Sequence, residues 1–220
     1  MMLPATVKST LLKSALRMVA AGLMELVPAP APLLAQEAPS MEQARNFLIQ
    51  HPDVACDKRH LANLIKNDRA VLLSAVGAMS TRLYDLYCDN SGAQATRVFL
   101  VWTSSENRLT LLHFARPVYA MRYKDEAVSV GLAEPVRVVG FDTLSAVPAA
   151  RYDSETHTLH SDVHWGKQAD GGEFAQWRWN HATRRFDLVS YVVDPHLESE
   201  LEPALRKAWV GKVIRLFPFK

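Results

Sequence analysis

Hydrophobic positions recur at helical spacing near the start of the chain and at strand spacing further along. Ser40 and Gln43 have the spacing of a capping box, and Met41, Ala44, Phe47 and Leu48 behind them share one helical face. His51-Pro52 ends that helix, because a residue before proline avoids the α region. Asp57 caps a second helix, with Leu61, Leu64 and Ile65 as its buried stripe. Residues 69–79 (RAVLLSAVGAM) suit a buried helix and a strand equally. Residues 36–80 therefore read as a helical N-terminal section.

After about residue 80 the period becomes two. Leu83-Tyr84-Asp85-Leu86-Tyr87 alternates, and Asp89-Asn90-Ser91-Gly92 supplies a turn. Residues 96–103 (TRVFLVWT) read as a strand, 104–107 as a turn, and 108–114 as the returning strand. Further strands are expected near 118–123, 126–131, 135–140, 157–164, 173–180 and 185–193. Asp194-Pro195 pairs a capping residue with a proline at the first helical position, which predicts a C-terminal helix running to about Trp209 and kinked or restarted at Pro203. Val213–Phe217 is apolar enough for a last edge strand. The expected fold class is α+β: a short helical section, then residues 81–220 as an antiparallel sheet, sandwiched or strongly curved, with a C-terminal helix.

The first 35 residues follow a different rule. Lys8, Lys13 and Arg17 precede an apolar run, Met18 to Val27, which is interrupted by Glu25. Pro28-Ala29-Pro30-Ala31-Pro32 then breaks any helix, and small residues suited to cleavage follow at Ala35 and Ala38. This order predicts a secretory signal peptide over residues 1–35 and a periplasmic or secreted protein. The run is shorter than the roughly 20 apolar residues of a membrane span, and no later stretch reaches that length.

Composition and charge narrow the function classes. Hydrophobic residues make up 49% and charged residues 22%, as in ordinary globular chains. There are 25 Lys+Arg against 23 Asp+Glu, a net charge of +2. The leader holds three of those positive charges and one negative, so the remainder is neutral. A neutral body lacks the cationic surplus that nucleic-acid binding needs. The two cysteines, Cys56 and Cys88, are either a pair of buried thiols or a disulfide. A bridge closing a loop of about 30 residues is worth roughly 3 kcal/mol in the chain-entropy model.

Residues 152–193 carry the most distinctive pattern. Tyr152-Asp153-Ser154-Glu155-Thr156 is a turn in which Asp and Ser bond the local backbone. Trp177 and Trp179 share one strand face, and Phe186 and Leu188 share a face of the next strand. The aromatic cluster, at about 150–250 Å² per ring, is either core filling or, with Trp165, an exposed platform for a glycan or peptide. The order Tyr-Asp-x-x-Thr-x-Thr-Leu, polar glycine loop, Trp-x-Trp, Phe-x-Leu resembles the C-terminal part of an uncharacterised bacterial periplasmic family known only as a domain of unknown function. The resemblance spans about residues 86–193. It implies export and a β-rich fold, and it implies no reaction. That family's loop carries cysteines where this chain reads HWGKQADGGEF, so no family disulfide transfers to the loop.

Candidate chemistry is sparse. On a strand His160, Asp162 and His164 would share one face and His157 the other, which makes the first three a weak candidate metal set; a metal needs donors converging at about 2 Å. The sequence holds no Gly-x-Ser-x-Gly elbow and no phosphate-binding glycine loop. Glu198 and Glu200 read as charges on an exposed helix near its N-terminus. Arg184-Arg185 after Trp179 could suggest nucleic acid, but the neutral body and the expected export argue against it. The expectation is a non-enzymatic envelope protein without a cofactor, binding a protein, peptide or glycan. The alternative is a periplasmic hydrolase whose active site is assembled from dispersed residues.

Overall fold

The computed structural model describes residues 36–51, 54, 56, 68–76, 79–89, 94–125, 130–132, 134–165, 171–195 and 213–218. The chain divides into two units, 1–33 and 34–220. The first, which holds most of the expected leader, lies outside the described residues, and all that follows concerns the second. One helix, α1 (Met41–Gln50), precedes fourteen described strands. These are β1 (Arg69–Val76), β2 (Met79–Asp89), β3 (Thr96–Thr103), β4 (Arg108–Leu111), β5 (Phe114–Ala120), β6 (Tyr123–Asp125) and β7 (Val130–Leu132). They continue as β8 (Arg137–Leu144), β9 (Ala146–Pro148), β10 (Ala150–Asp153), β11 (Thr158–Trp165), β12 (Gly171–Asn180), β13 (Arg185–Asp194) and β14 (Ile214–Phe217).

The α+β expectation is corrected. Strand accounts for 66% of the described residues and helix for 8%, so the class is mainly β. No C-terminal helix is seen among the described residues; the body of the expected one, from 196 to about 209, and the expected helix at 57–65 lie outside them. The equivocal stretch after Arg69 is strand β1. Its Val71-Leu72-Leu73 run obscures the period because the register slips between Leu72 and Ser74. Leu73 is buried while Leu72 stands out in solvent.

Every strand pairing is antiparallel. The first sheet runs β1-β2-β3-β4, and the second runs β10-β11-β12-β13-β14. Strands β5 and β8 form one two-stranded ribbon, and β6 and β7 another. The edge of β3 is shared. Leu100–Thr103 pair with β4, and Thr96–Val98 pair with β9. From β9 the chain passes through Ala149, at φ 48°, directly into β10 of the second sheet.

The first sheet is a middle layer, which explains why VFLVW is apolar without alternation. Tyr84, Leu86, Val98, Leu100 and Trp102 pack with Ala44 and Leu48 of α1. Leu83, Phe99 and Val101 face the other way, onto Trp177, Trp179 and Phe186 of the second sheet. The helix begins with the expected capping box: the Gln43 amide donates to Ser40 Oγ at 3.2 Å, and the Ser40 amide to Gln43 Oε1 at 2.7 Å.

Two buried carboxylates tie the layers. Asp68 Oδ2 accepts from Arg45 Nε of α1 at 2.9 Å and also from Arg45 Nη2, while Oδ1 accepts the Tyr87 amide at 2.8 Å. Asp85, on the face toward the second sheet, accepts from Arg69 Nε at 2.8 Å and from Arg97 Nε. Arg69 also donates to the Tyr152 carbonyl at 2.9 Å, bridging the two sheets. Cys56 and Cys88 form a disulfide with Cα atoms 5.0 Å apart, fastening the segment after α1 to β2.

Three hairpins share one turn design. Ser104–Asn107, Ser154–His157 and His181–Arg184 each connect strands, and the last residue of each sits in the left-handed region, at φ 45°, 51° and 52°. Asp153 Oδ1 and Asn180 Oδ1 fold back onto the amides two residues ahead, each at 2.9 Å, the Asx turn that these residue types favour.

Candidate functional site

Alternation along β11 and β12 sorts the sequence candidates onto two faces. Leu159, Ser161, Val163 and Trp165 stand opposite Trp177, Ala175, Glu173 and Gly171 and point inward. His160, Asp162 and His164 stand opposite Gln176, Phe174 and Gly172 and point outward. The tryptophans are core. Trp177 is 1% exposed and its indole donates to the Ala115 carbonyl at 2.7 Å. Trp179 is 5% exposed and its Nε1 is buried without a partner. Trp165 is half-buried against the same cluster. With Trp177 and Trp179 closed and Trp165 half-buried, the three rings do not form a surface platform.

The outward face carries the polar groups. His160, Asp162 and His164 do lie on one strand face, as the spacing requires, but they do not converge on a point. Asp162 Oδ1 is engaged by His164 Nε2 at 2.9 Å, and no set of three metal-ligating side chains occurs among the described residues. His157 sits in the left-handed turn position, with Nδ1 2.8 Å from the Tyr152 hydroxyl, away from the other three.

Beside these residues a groove of about 460 Å³ crosses the outer face of the second sheet. Cross-strand register explains its lining. Arg151 pairs with His160, His160 with Gln176, and Gln176 with Ser190, a polar row over four strands. The next row is Asp162, Phe174 and Val192. The Phe174 ring lies back along its own strand over Gly172. A Cβ at Gly172 would meet Phe174 Cζ at 3.2 Å and the Val163 carbonyl oxygen at 2.6 Å, so only glycine allows this approach. His164 packs edge-on against the same ring, with centroids 5.6 Å apart. The groove thus sets a fixed aromatic ring beside a guanidinium, an imidazole, an amide and a hydroxyl.

A second polar node, missed by sequence reading, lies on the inward face. Glu173 accepts hydrogen bonds from the hydroxyl of Tyr119 on β5 and, at 2.5 Å, from that of Tyr191 on β13. Burial first, and then the bond to Glu173, pushes both phenols far above the ordinary tyrosine range. The node joins the β5–β8 ribbon to the second sheet. The alternation of β12 marks Glu173 as inward-facing, but nothing local marks tyrosines 54 residues before it and 18 residues after it as its partners.

No family model matches the chain, and neither curated proteins nor solved structures yield a match.

Proposed function

We propose that this chain is an exported accessory protein of the cell envelope that binds a glycan without transforming it. The observation that carries the reading is the groove on the outer face of the second sheet. Its row Arg151–His160–Gln176–Ser190 offers donors and acceptors at strand spacing, and Phe174 gives an apolar face beside them. Sugars present the same combination: hydroxyls around the ring edge and C–H groups on its faces. Protein–sugar contact uses stacking and hydrogen bonding together.

The groove's geometry favours binding over hydrolysis. Ser190 and His160 stand on strands separated by β12, and no hydrogen bond joins the two side chains, so no nucleophile–base pair is assembled there. The inward-facing Ser161 donates its hydroxyl to the Pro148 carbonyl at 2.7 Å. The Cys56–Cys88 disulfide supports an oxidising compartment. No described helix is long and apolar enough to cross a membrane. The likeness of residues 86–193 to the periplasmic domain-of-unknown-function family is part of the same proposal.

The test is twofold. Intact-mass measurement on protein recovered from the periplasm should show a start between residues 32 and 40; a full-length mass would reject export. Titration with soluble envelope glycan fragments should show saturable binding that weakens about tenfold in Arg151→Ala or Gln176→Ala, the loss of one or two hydrogen bonds. Unchanged affinity in both variants removes the groove from the account.

A further inference from the structure

The open end of the layer between the two sheets holds a second cleft, of about 500 Å³, which shares no residue with the groove and does not rest on the glycan reading. One wall is the β3–β4 hairpin, contributing Thr103, Thr110 and Arg108; the other is the β12–β13 turn, contributing Thr183, Arg184 and Arg185. Val101 and Leu112 form the apolar floor.

Its charge is one-sided. Three guanidiniums and the His113 imidazole line it against a single carboxylate, Glu106. Arg184 spans the mouth, donating from Nη1 to Glu106 Oε1 at 2.9 Å and to Ser105 Oγ at 3.4 Å. Its other guanidinium donors are not used by these bonds. Arg185 is held by Asp187 at 3.1 Å. The Arg108 and His113 side chains make no hydrogen bond or ion pair with any described residue.

We propose that this cleft binds a small molecule bearing an oxyanion, a phosphate or a carboxylate. Arg108 and Arg184 clamp the anion from opposite walls, and the Thr103, Thr110 and Thr183 hydroxyls complete the donor set. Glu106 is the competing internal anion. It holds Arg184 in place across the mouth and lowers affinity for any ligand that must share that guanidinium.

Isothermal titration of the full chain at low ionic strength, with inorganic phosphate in one arm and glucuronate in the other, tests this and separates the two anion sources. Saturable binding in either arm is expected. It should weaken about tenfold in Arg108→Gln and in Arg184→Gln, as a charge-assisted hydrogen bond is worth that much. It should strengthen in Glu106→Gln. Arg108 has no described partner, so Arg108→Gln reads the cleft even where Arg184→Gln loosens the turn. No saturable binding in either arm, or equal affinity across all three variants, overturns the proposal.

Discussion

Removing the carboxylate of Asp85 is the sharpest probe of what joins the two sheets. Its side chain is 1% exposed and faces two guanidiniums of unequal burial, Arg97 at 12% and Arg69 at 44%. Asp85→Ala leaves Arg97 charged and enclosed without its buried carboxylate, while its longer bond from Nη2 to the residue-85 carbonyl, at 3.3 Å, is a backbone contact that the substitution leaves in place. Breaking a buried pair from one side costs about 3–5 kcal/mol, because the remaining ion keeps its desolvation penalty without its partner. Arg69 behaves differently. Nearly half of its side chain is in water, so solvent screens its share of the interaction and Arg69→Ala should cost about 1 kcal/mol or less from the ion pair. The expected order is therefore Asp85→Ala, then Arg97→Ala, then Arg69→Ala. The double variant Asp85→Ala/Arg97→Ala should be less destabilised than the sum of its parts, since neither charge is then stranded. Urea unfolding followed by tryptophan fluorescence measures this as a fall in midpoint at constant slope. A loss under about 0.5 kcal/mol for Asp85→Ala, or an Arg69→Ala cost exceeding that of Arg97→Ala, would refute the reasoning.

Three further outcomes follow from the packing and the titrating groups. Trp179→Ala should cost about 3–5 kcal/mol in urea unfolding, the usual range for deleting a large buried aromatic; a change within about 0.5 kcal/mol would place that indole at a surface. Tyr119 and Tyr191 have folded pKa values raised above the ordinary 10.0, so their contribution to stability is complete below that pH and is lost as pH rises above it. In a spectrophotometric alkaline titration both should stay silent until the fold opens, and ionisation of either at the ordinary value with the sheet intact would contradict the Glu173 node. Arg184→Gly should leave the unfolding midpoint within about 0.5 kcal/mol of the parent, because relief of a left-handed residue offsets an exposed ion pair to Glu106; a large loss would mean the side chain is a structural tie.

What the sequence revealed follows from how local each determinant is. The capping box at Ser40 and Gln43 is complete within four residues, and the helix behind it was legible for that reason. The Asp153 and Asn180 turns, and the shared inward face of Trp177 and Trp179, are equally short-range. Fold class was misjudged where the signal was local but the outcome was not. Residues 69–76 carry apolar side chains on both sides of a register slip, so their period is hidden. The short strands β9 and β10 escaped notice because Ala146–Pro148 makes sense only against the β3 edge. The groove is a product of register between strands far apart in the chain, and the second cleft of hairpins from two different sheets lying side by side. Arg151 and Ser190, or Arg108 and Arg184, share no spacing that a single segment could display. His160, Asp162 and His164 were correctly grouped by alternation, yet alternation alone could not show that Asp162 is already taken by His164.

The divided edge of β3 has a consequence for life at high concentration. An unpaired sheet border invites a neighbouring molecule to add its own backbone, which is how native proteins seed fibrils. On that border the chain has set two short segments end to end, four residues of β4 and three of β9. A stranger docking there would find no continuous ladder longer than four residues, and the border therefore resists templated self-association through the shortness of its strands.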